Sequence, residues 1–129
     1  MKMKKKIPSA LRRAIAKVKS ERAIQAEILT LLRAQGIPHS VTDASRSWGP
    51  DGRPRKSKVT AGWPDISCVL PRGPYQGRAF FIEVKAARGR VSREQRQTFL
   101  RLDAAWSRVF IGRSAEDVLC ELRRWEAEK

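Results

Sequence analysis

Histidine occurs once and cysteine twice in this chain, acidic residues are few, and no apolar stretch approaches the length that spans a bilayer. A solitary His39 cannot build a histidine-based metal site. Cys68 and Cys120 are too far apart for a paired zinc knuckle and too few for the disulfide framework of a small secreted domain. Both are therefore expected to be reduced core residues. The opening residues Met1 to Lys6 resemble the charged front of a signal peptide, but Ile7, Pro8, Ser9, Ala10 and Leu11 run straight into Arg12 and Arg13. The apolar region that such a signal needs is missing.

What the chain has in excess is base. Against 13 Asp and Glu stand 28 Lys and Arg, a formal net charge of +15 and a sequence pI near 11.1 in 129 residues. Self-repulsion of that size disfavours a compact state unless a polyanion is the working partner. Without a membrane-spanning run, nucleic acid is the leading candidate. The length allows one domain with a modest core, and 41% hydrophobic residues suffice to fold it. Residues 1–19 carry eight Lys and Arg and no acid, and read as a basic tail, partly disordered, with a short helix suggested by Leu11, Ile15 and Val18. Residues 20–129 read as the folded domain.

Ser20 is a good helix cap, and Ile24, Ile28, Leu31 and Leu32 recur at about 3.6 residues until Gly36. Residues 37–42 predict a first strand. From Ala44 to Thr60 the chain is polar and basic, and Gly49, Pro50, Asp51, Gly52 and Pro54 predict a long loop. Ile66, Cys68 and Leu70 mark a buried strand, and residues 79–85 the clearest strand in the chain, the two joined as a hairpin. Ser92 caps a helix running to about Ala105 with Phe99 and Leu102 on its apolar side. Val109 to Ile111 predict a last strand, and Ser114 caps a final helix that buries Val118, Leu119, Leu122 and Trp125. The order α-β-β-β-α-β-α indicates an α/β fold, a mixed sheet flanked by helices.

Strand alternation places Glu83 and Lys85 on one face and Ile82 and Val84 on the other. An acid and an amine on so apolar a strand suggest a cation, because buried charge is costly unless paired or metal-bound. The same pattern also fits an edge strand whose Glu and Lys meet water. Asp65 follows Gly62, Trp63 and Pro64 where the partner strand begins, so two carboxylates could share one hard cation such as Mg²⁺. It also fits an ordinary turn Asp. Gly49, Pro50 and Asp51 repeat the Gly-Pro-Asp order, but Gly52, Arg53 and Pro54 follow them, so no strand can hold Asp51.

These residues resemble, in order, the motifs of the PD-(D/E)XK nucleases, and within them the VRR-NUC (virus-type replication-repair nuclease) domain. The likeness spans roughly residues 20 to 118. Glu21, Ile24 and Gln25 are similar to that family's opening glutamate motif, and Gly62, Pro64 and Asp65 to its Gly-x-Pro-Asp. Ile82, Glu83, Val84 and Lys85 are similar to its second acidic motif, and Ser92 with Gln95 to its Ser-x-x-Gln. Two departures stand out: Trp63 is bulky for its place between Gly and Pro, and the stretch from Ala104 to Ser107 lacks the glycine often found before the last strand.

The resemblance implies a restriction-endonuclease-like core and a catalytic set of Asp65, Glu83, Lys85, Glu21 and Gln95. Asp65, Glu83 and the Val84 carbonyl would hold Mg²⁺, with Mn²⁺ able to substitute, and Glu21 would bind directly or through water. Lys85 would orient or help deprotonate the attacking water and offset phosphate charge, and Gln95 would support Lys85 or the scissile phosphate. Glu21 and Gln95 also sit where a helix dipole and a capping box favour them. The cation would neutralise phosphate and acidify a water for in-line attack.

Arg46, Trp48, Arg53, Arg55, Lys56, Lys58 and Trp63 are expected to contact nucleic acid through backbone charge and base stacking. The implied activity is phosphodiester hydrolysis in DNA, selective for branched forms such as Holliday junctions or flaps in replication, repair or recombination. A homodimer, no membrane and no small organic cofactor complete the expectation, in the cytoplasm of a bacterium or a phage-infected host. The rival is a non-catalytic basic nucleic-acid-binding protein that keeps the nuclease fold.

Overall fold

The computed structural model of the protein describes residues 8–10, 19–43, 48–55 and 58–128. The expected tail helix at Leu11, Ile15 and Val18, the expected disorder of the first residues, and Arg46 and Lys56 lie outside the described residues.

Helix α1 spans Glu21–Ala34, and its Ser20 cap accepts a hydrogen bond from the Ala23 N–H. Strand β1 (His39–Val41) follows, then the long loop, β2 (Ile66–Val69), β3 (Ala79–Val84), α2 (Arg93–Ala104), β4 (Arg108–Gly112) and α3 (Ala115–Ala127). The four strands lie in the order β1-β2-β3-β4, antiparallel across the first two pairings and parallel between β3 and β4. A parallel pair needs a crossover, and α2 supplies it. The chain is thus α/β, with an open, mixed four-stranded sheet and helices on its faces.

Alternation sorts the side chains of β3. Phe80, Ile82 and Val84 enter the main core with Ile66 and Cys68, and Ile24, Ile28 and Leu32 of α1 and Val118, Leu122 and Trp125 of α3 cover that face. Phe81 and Glu83 point to the opposite face, where Trp63 and Gln95 of α2 meet them. A core side chain such as Ile28, fully buried, contributes about 2 to 5 kcal/mol against truncation to alanine.

Several elements differ in detail from expectation. Strand β1 has three residues, β2 stops at Val69 although Leu70 remains buried, and Lys85 lies one residue past β3. Cys68 is buried, but Cys120 is exposed, because two residues along a helix from buried Val118 is the opposite side. Leu31 and Leu119 are half-buried rather than core. On α2 the buried residue is Thr98, whose hydroxyl donates to the Ala61 carbonyl at 2.9 Å, while Phe99 and Leu102 are half-buried.

Helices α1 and α2 end in the same way. After α1, Gly36 takes φ +68°, and the Ile37 and Gly36 N–H groups bond back to Leu32 and Arg33. After α2 the same Schellman pattern runs from Ser107 to Leu102 and from Trp106 to Asp103. The left-handed residue here is Trp106, φ 65°, at the place where the sequence lacks a glycine. The Arg78 guanidinium lies 4.3 Å from the Trp106 ring centre and donates to the Trp106 carbonyl at 2.6 Å, which holds this strained turn.

Candidate active site

Three segments converge at one end of the sheet: the residues leading into β2, the end of β3 with Lys85, and the first turn of α2. Asp65 is fixed from two sides. Its Oδ2 accepts the Val84 N–H at 2.8 Å, and its carbonyl accepts the Thr42 N–H at 2.8 Å. The Thr42 hydroxyl donates to the carbonyl of Pro64, itself a fully buried residue.

Gly62 explains how this loop reaches α2. At φ +77° it takes a conformation that side chains disfavour, and a β-carbon there would stand 2.6 Å from the Glu94 carbonyl oxygen and 2.9 Å from the Gln95 nitrogen. The loop carrying Asp65 is thereby pressed onto the backbone turn that carries Gln95.

Glu83 is 3% exposed. Its Oε1 accepts the Gln95 side-chain amide at 3.0 Å and lies 3.7 Å from the Lys85 ammonium, while its Oε2 is buried with no donor directed at it. Burial pushes the Glu83 carboxyl up to about 8, helped by the Asp65 carboxyl beside it, with which a protonated Glu83 can hydrogen-bond. The Lys85 charge opposes this shift, and Glu21 adds to it weakly.

Gln95 serves two purposes. It closes a capping box with Ser92, its side-chain oxygen accepting the Ser92 N–H at 2.8 Å, and its amide nitrogen grips Glu83. Its side-chain amide thus contacts the carboxylate of Glu83 rather than Lys85. Glu21 opens α1 at the rim of the cluster. Its Oε1 and the Lys85 Cβ both come within 3.3 Å of where a side chain on Gly89 would begin.

The structure therefore brings Asp65, Glu83, Lys85, Gln95 and Glu21 into one neighbourhood. Among the described residues, no group of three or more His, Cys, Asp or Glu side chains is arranged to hold a metal ion. The Asp65 and Glu83 pair, with the Val84 carbonyl, is the donor set to be weighed. It fits a hard cation on one point above all: a buried carboxylate oxygen without a donor is a ligand lacking its partner.

The basic loop is placed less closely. Trp48 and Pro54 form an isolated bridge that closes a turn, in which Asp51 Oδ1 accepts the Arg53 N–H at 3.1 Å. Trp48, Arg53 and Arg55 are exposed there, and among the described residues none bonds to the carboxylate cluster. Lys58 lies nearer, lining a cavity with Trp63. Trp63 packs edge-on against Phe81, with ring centres 5.4 Å apart, and its Nε1 reaches Ser67 Oγ at 3.5 Å.

Two contributors are not legible in the sequence. Thr98 ties α2 to Ala61, and Arg113 donates to the carbonyls of Ala86 at 2.6 Å and Gly89 at 2.9 Å, fixing the loop beyond Lys85. Among 28 cations, only the position of Arg113 directly after a strand-closing glycine sets it apart.

No family model matches the chain, and no curated protein or solved structure is significantly similar to it.

Proposed function

We propose that the protein is a divalent-metal-dependent nuclease of the PD-(D/E)XK type, close to the VRR-NUC domain, which hydrolyses phosphodiester bonds in DNA. The observation that carries this reading is the juxtaposition of Asp65, Glu83 and Lys85 at one sheet end, with Glu83 buried and one of its oxygens lacking a donor. Once ionised, a buried acid with that deficit is costly as structure alone, and a bound cation would offset the cost. The +15 charge supplies the attraction to a polyanion.

Asp65, Glu83 and the Val84 carbonyl would hold Mg²⁺ or Mn²⁺, with Glu21 acting through water. When bound, the cation offsets phosphate charge and acidifies water. The chain's own residues do the positioning. The Val84 N–H fixes the Asp65 carboxylate, and the Gln95 amide fixes Glu83. Lys85, with its side chain 12% exposed, keeps a cationic head beside Glu83, from which it can donate to a phosphate oxygen and orient the attacking water.

Branched DNA, such as a flap or a four-way junction, is the substrate class we favour, cut by a homodimer, because one small domain can cleave two strands only by pairing. The test is strand scission on linear, flapped and four-way DNA with Mg²⁺, with Mn²⁺ and with chelator. Metal-dependent cutting that favours the branched forms is expected. Binding without cutting under every condition would instead assign the chain to a non-catalytic DNA-binding protein.

A further inference from the structure

Trp63 lines two neighbouring cavities on the sheet face that carries Glu83. One, of about 330 Å³, is lined by Ser40, Thr42, Lys58 and Ser67, and the other, of about 250 Å³, by Thr98, Arg101 and Leu102. Thr60 and Trp63 line both. A third hollow continues from Thr60 and Arg101 along Glu94 and Gln97 of α2. Through the residues they share they run on as one groove, with Trp63 common to the first two parts, Lys58 along one and Arg101 along the other, and hydroxyls on the wall.

We propose that this groove takes two successive unpaired nucleotides of a single DNA strand, one base on each side of Trp63, with Lys58 and Arg101 meeting the backbone phosphates. The assignment rests on the nuclease reading and names the part of the substrate that the chain grips beside the cleavage point. Four features support it. Stacking platforms for unpaired bases combine an aromatic side chain with flanking positive charge. The Phe81 edge contact and the Ser67 hydroxyl hold the indole in place before binding, so little side-chain entropy is lost when a base arrives. Ser40, Thr42, Thr60 and Ser67 offer donors and acceptors that suit any base edge, as binding without sequence preference requires. Trp63 is two residues from Asp65, and Gly62 presses the same loop onto Gln95, so a strand in the groove passes next to the carboxylates.

A paired duplex cannot use such a groove, since its bases are stacked on each other. Binding is measured by fluorescence anisotropy in chelator, so that no strand is cut, with an oligothymidylate, a blunt duplex, and a duplex interrupted by a short single-stranded gap. Trp63→Ala is expected to weaken binding of the oligothymidylate and the gapped duplex about tenfold or more, and of the blunt duplex less than about twofold. Trp63→Phe should keep most of the single-strand affinity. Arg101→Ala, at an exposed position on α2, should weaken the same two probes and lower their salt dependence.

Thermal melts of each variant guard against loss of folding, and Arg101→Ala carries the test if Trp63→Ala does not fold. Equal losses on all three probes, or no loss in a folded variant, overturn the proposal. The nuclease reading fails separately. Trp63-dependent single-strand binding in a protein that never cuts DNA with Mg²⁺ would sink that reading and keep the groove, whereas metal-dependent cutting with Trp63→Ala binding unchanged would sink the groove alone.

Discussion

Gln95 separates two roles that usually have to be argued apart. Its backbone N–H and side-chain oxygen complete the capping box with Ser92, and its amide nitrogen holds Glu83. Ser92→Ala removes the side-chain acceptor and leaves the Glu83 contact, so it should cost about 0.5 to 2 kcal/mol of stability with little effect on cleavage. Gln95→Ala should lower cleavage or metal affinity about 10- to 100-fold, as expected for a group that orients a ligand. Equal activity losses in the two variants would show that the helix cap alone matters. Glu83 also makes stability depend on pH. Its carboxyl titrates higher in the folded chain than in the unfolded one, so the folded state binds the extra proton in the interval between the two values. Stability of the metal-free protein should therefore fall as pH rises from about 5 to about 8, as the buried carboxyl is forced to ionise. Thermal unfolding across that range should show the slope in wild type and lose it in Glu83→Gln; the same slope in the variant would place its cause elsewhere.

Among the elements, the loop into β2 and the turn after α2 show where backbone conformation was and was not written in residue types. Gly62→Ala meets both a positive φ and a carbonyl oxygen 2.6 Å away, so it should destabilise by roughly 1 to 3 kcal/mol and displace Asp65 from its Val84 contact. Trp106 is the opposite case, a bulky residue in a glycine conformation. Trp106→Gly should be less destabilising than Trp106→Ala by about 1 kcal/mol, because both lose the Arg78 ring contact and alanine alone keeps the strain. A denaturant series on the two variants decides it. The capped helices and the β2–β3 hairpin were legible because Ser20, Ser92, Ser114, Gly36 and the apolar alternation of Phe80 to Val84 each have a local physical cause. Pairing of Asp65 with the strand of Glu83 followed from that hairpin. The grip of Arg113 on Ala86 and Gly89, the bond from Thr98 to Ala61, and the exposure of Cys120 depend on how distant elements meet, and short-range pattern carries no record of that.

On the scale of the whole molecule, one end of the sheet holds the buried Glu83 with Asp65 and Glu21 while the chain as a whole carries +15. That division suits a polyanion drawn in by general charge and acted on where two carboxyl groups and one lysine meet. Affinity for DNA in chelator should fall steeply with salt, in a linear log–log plot; an affinity indifferent to salt would remove the electrostatic part of the account. Strand scission of one flapped DNA by wild type, Asp65→Asn and Glu83→Gln, each shown to be folded, with Mg²⁺ and with chelator, decides whether Asp65 and Glu83 form a metal-dependent nuclease site. Wild type should cut with Mg²⁺ alone, and both variants at least about a hundredfold less, a loss of more than about 2.7 kcal/mol of transition-state stabilisation. Cutting that survives the chelator, or that proceeds at the wild-type rate in either variant, would contradict it.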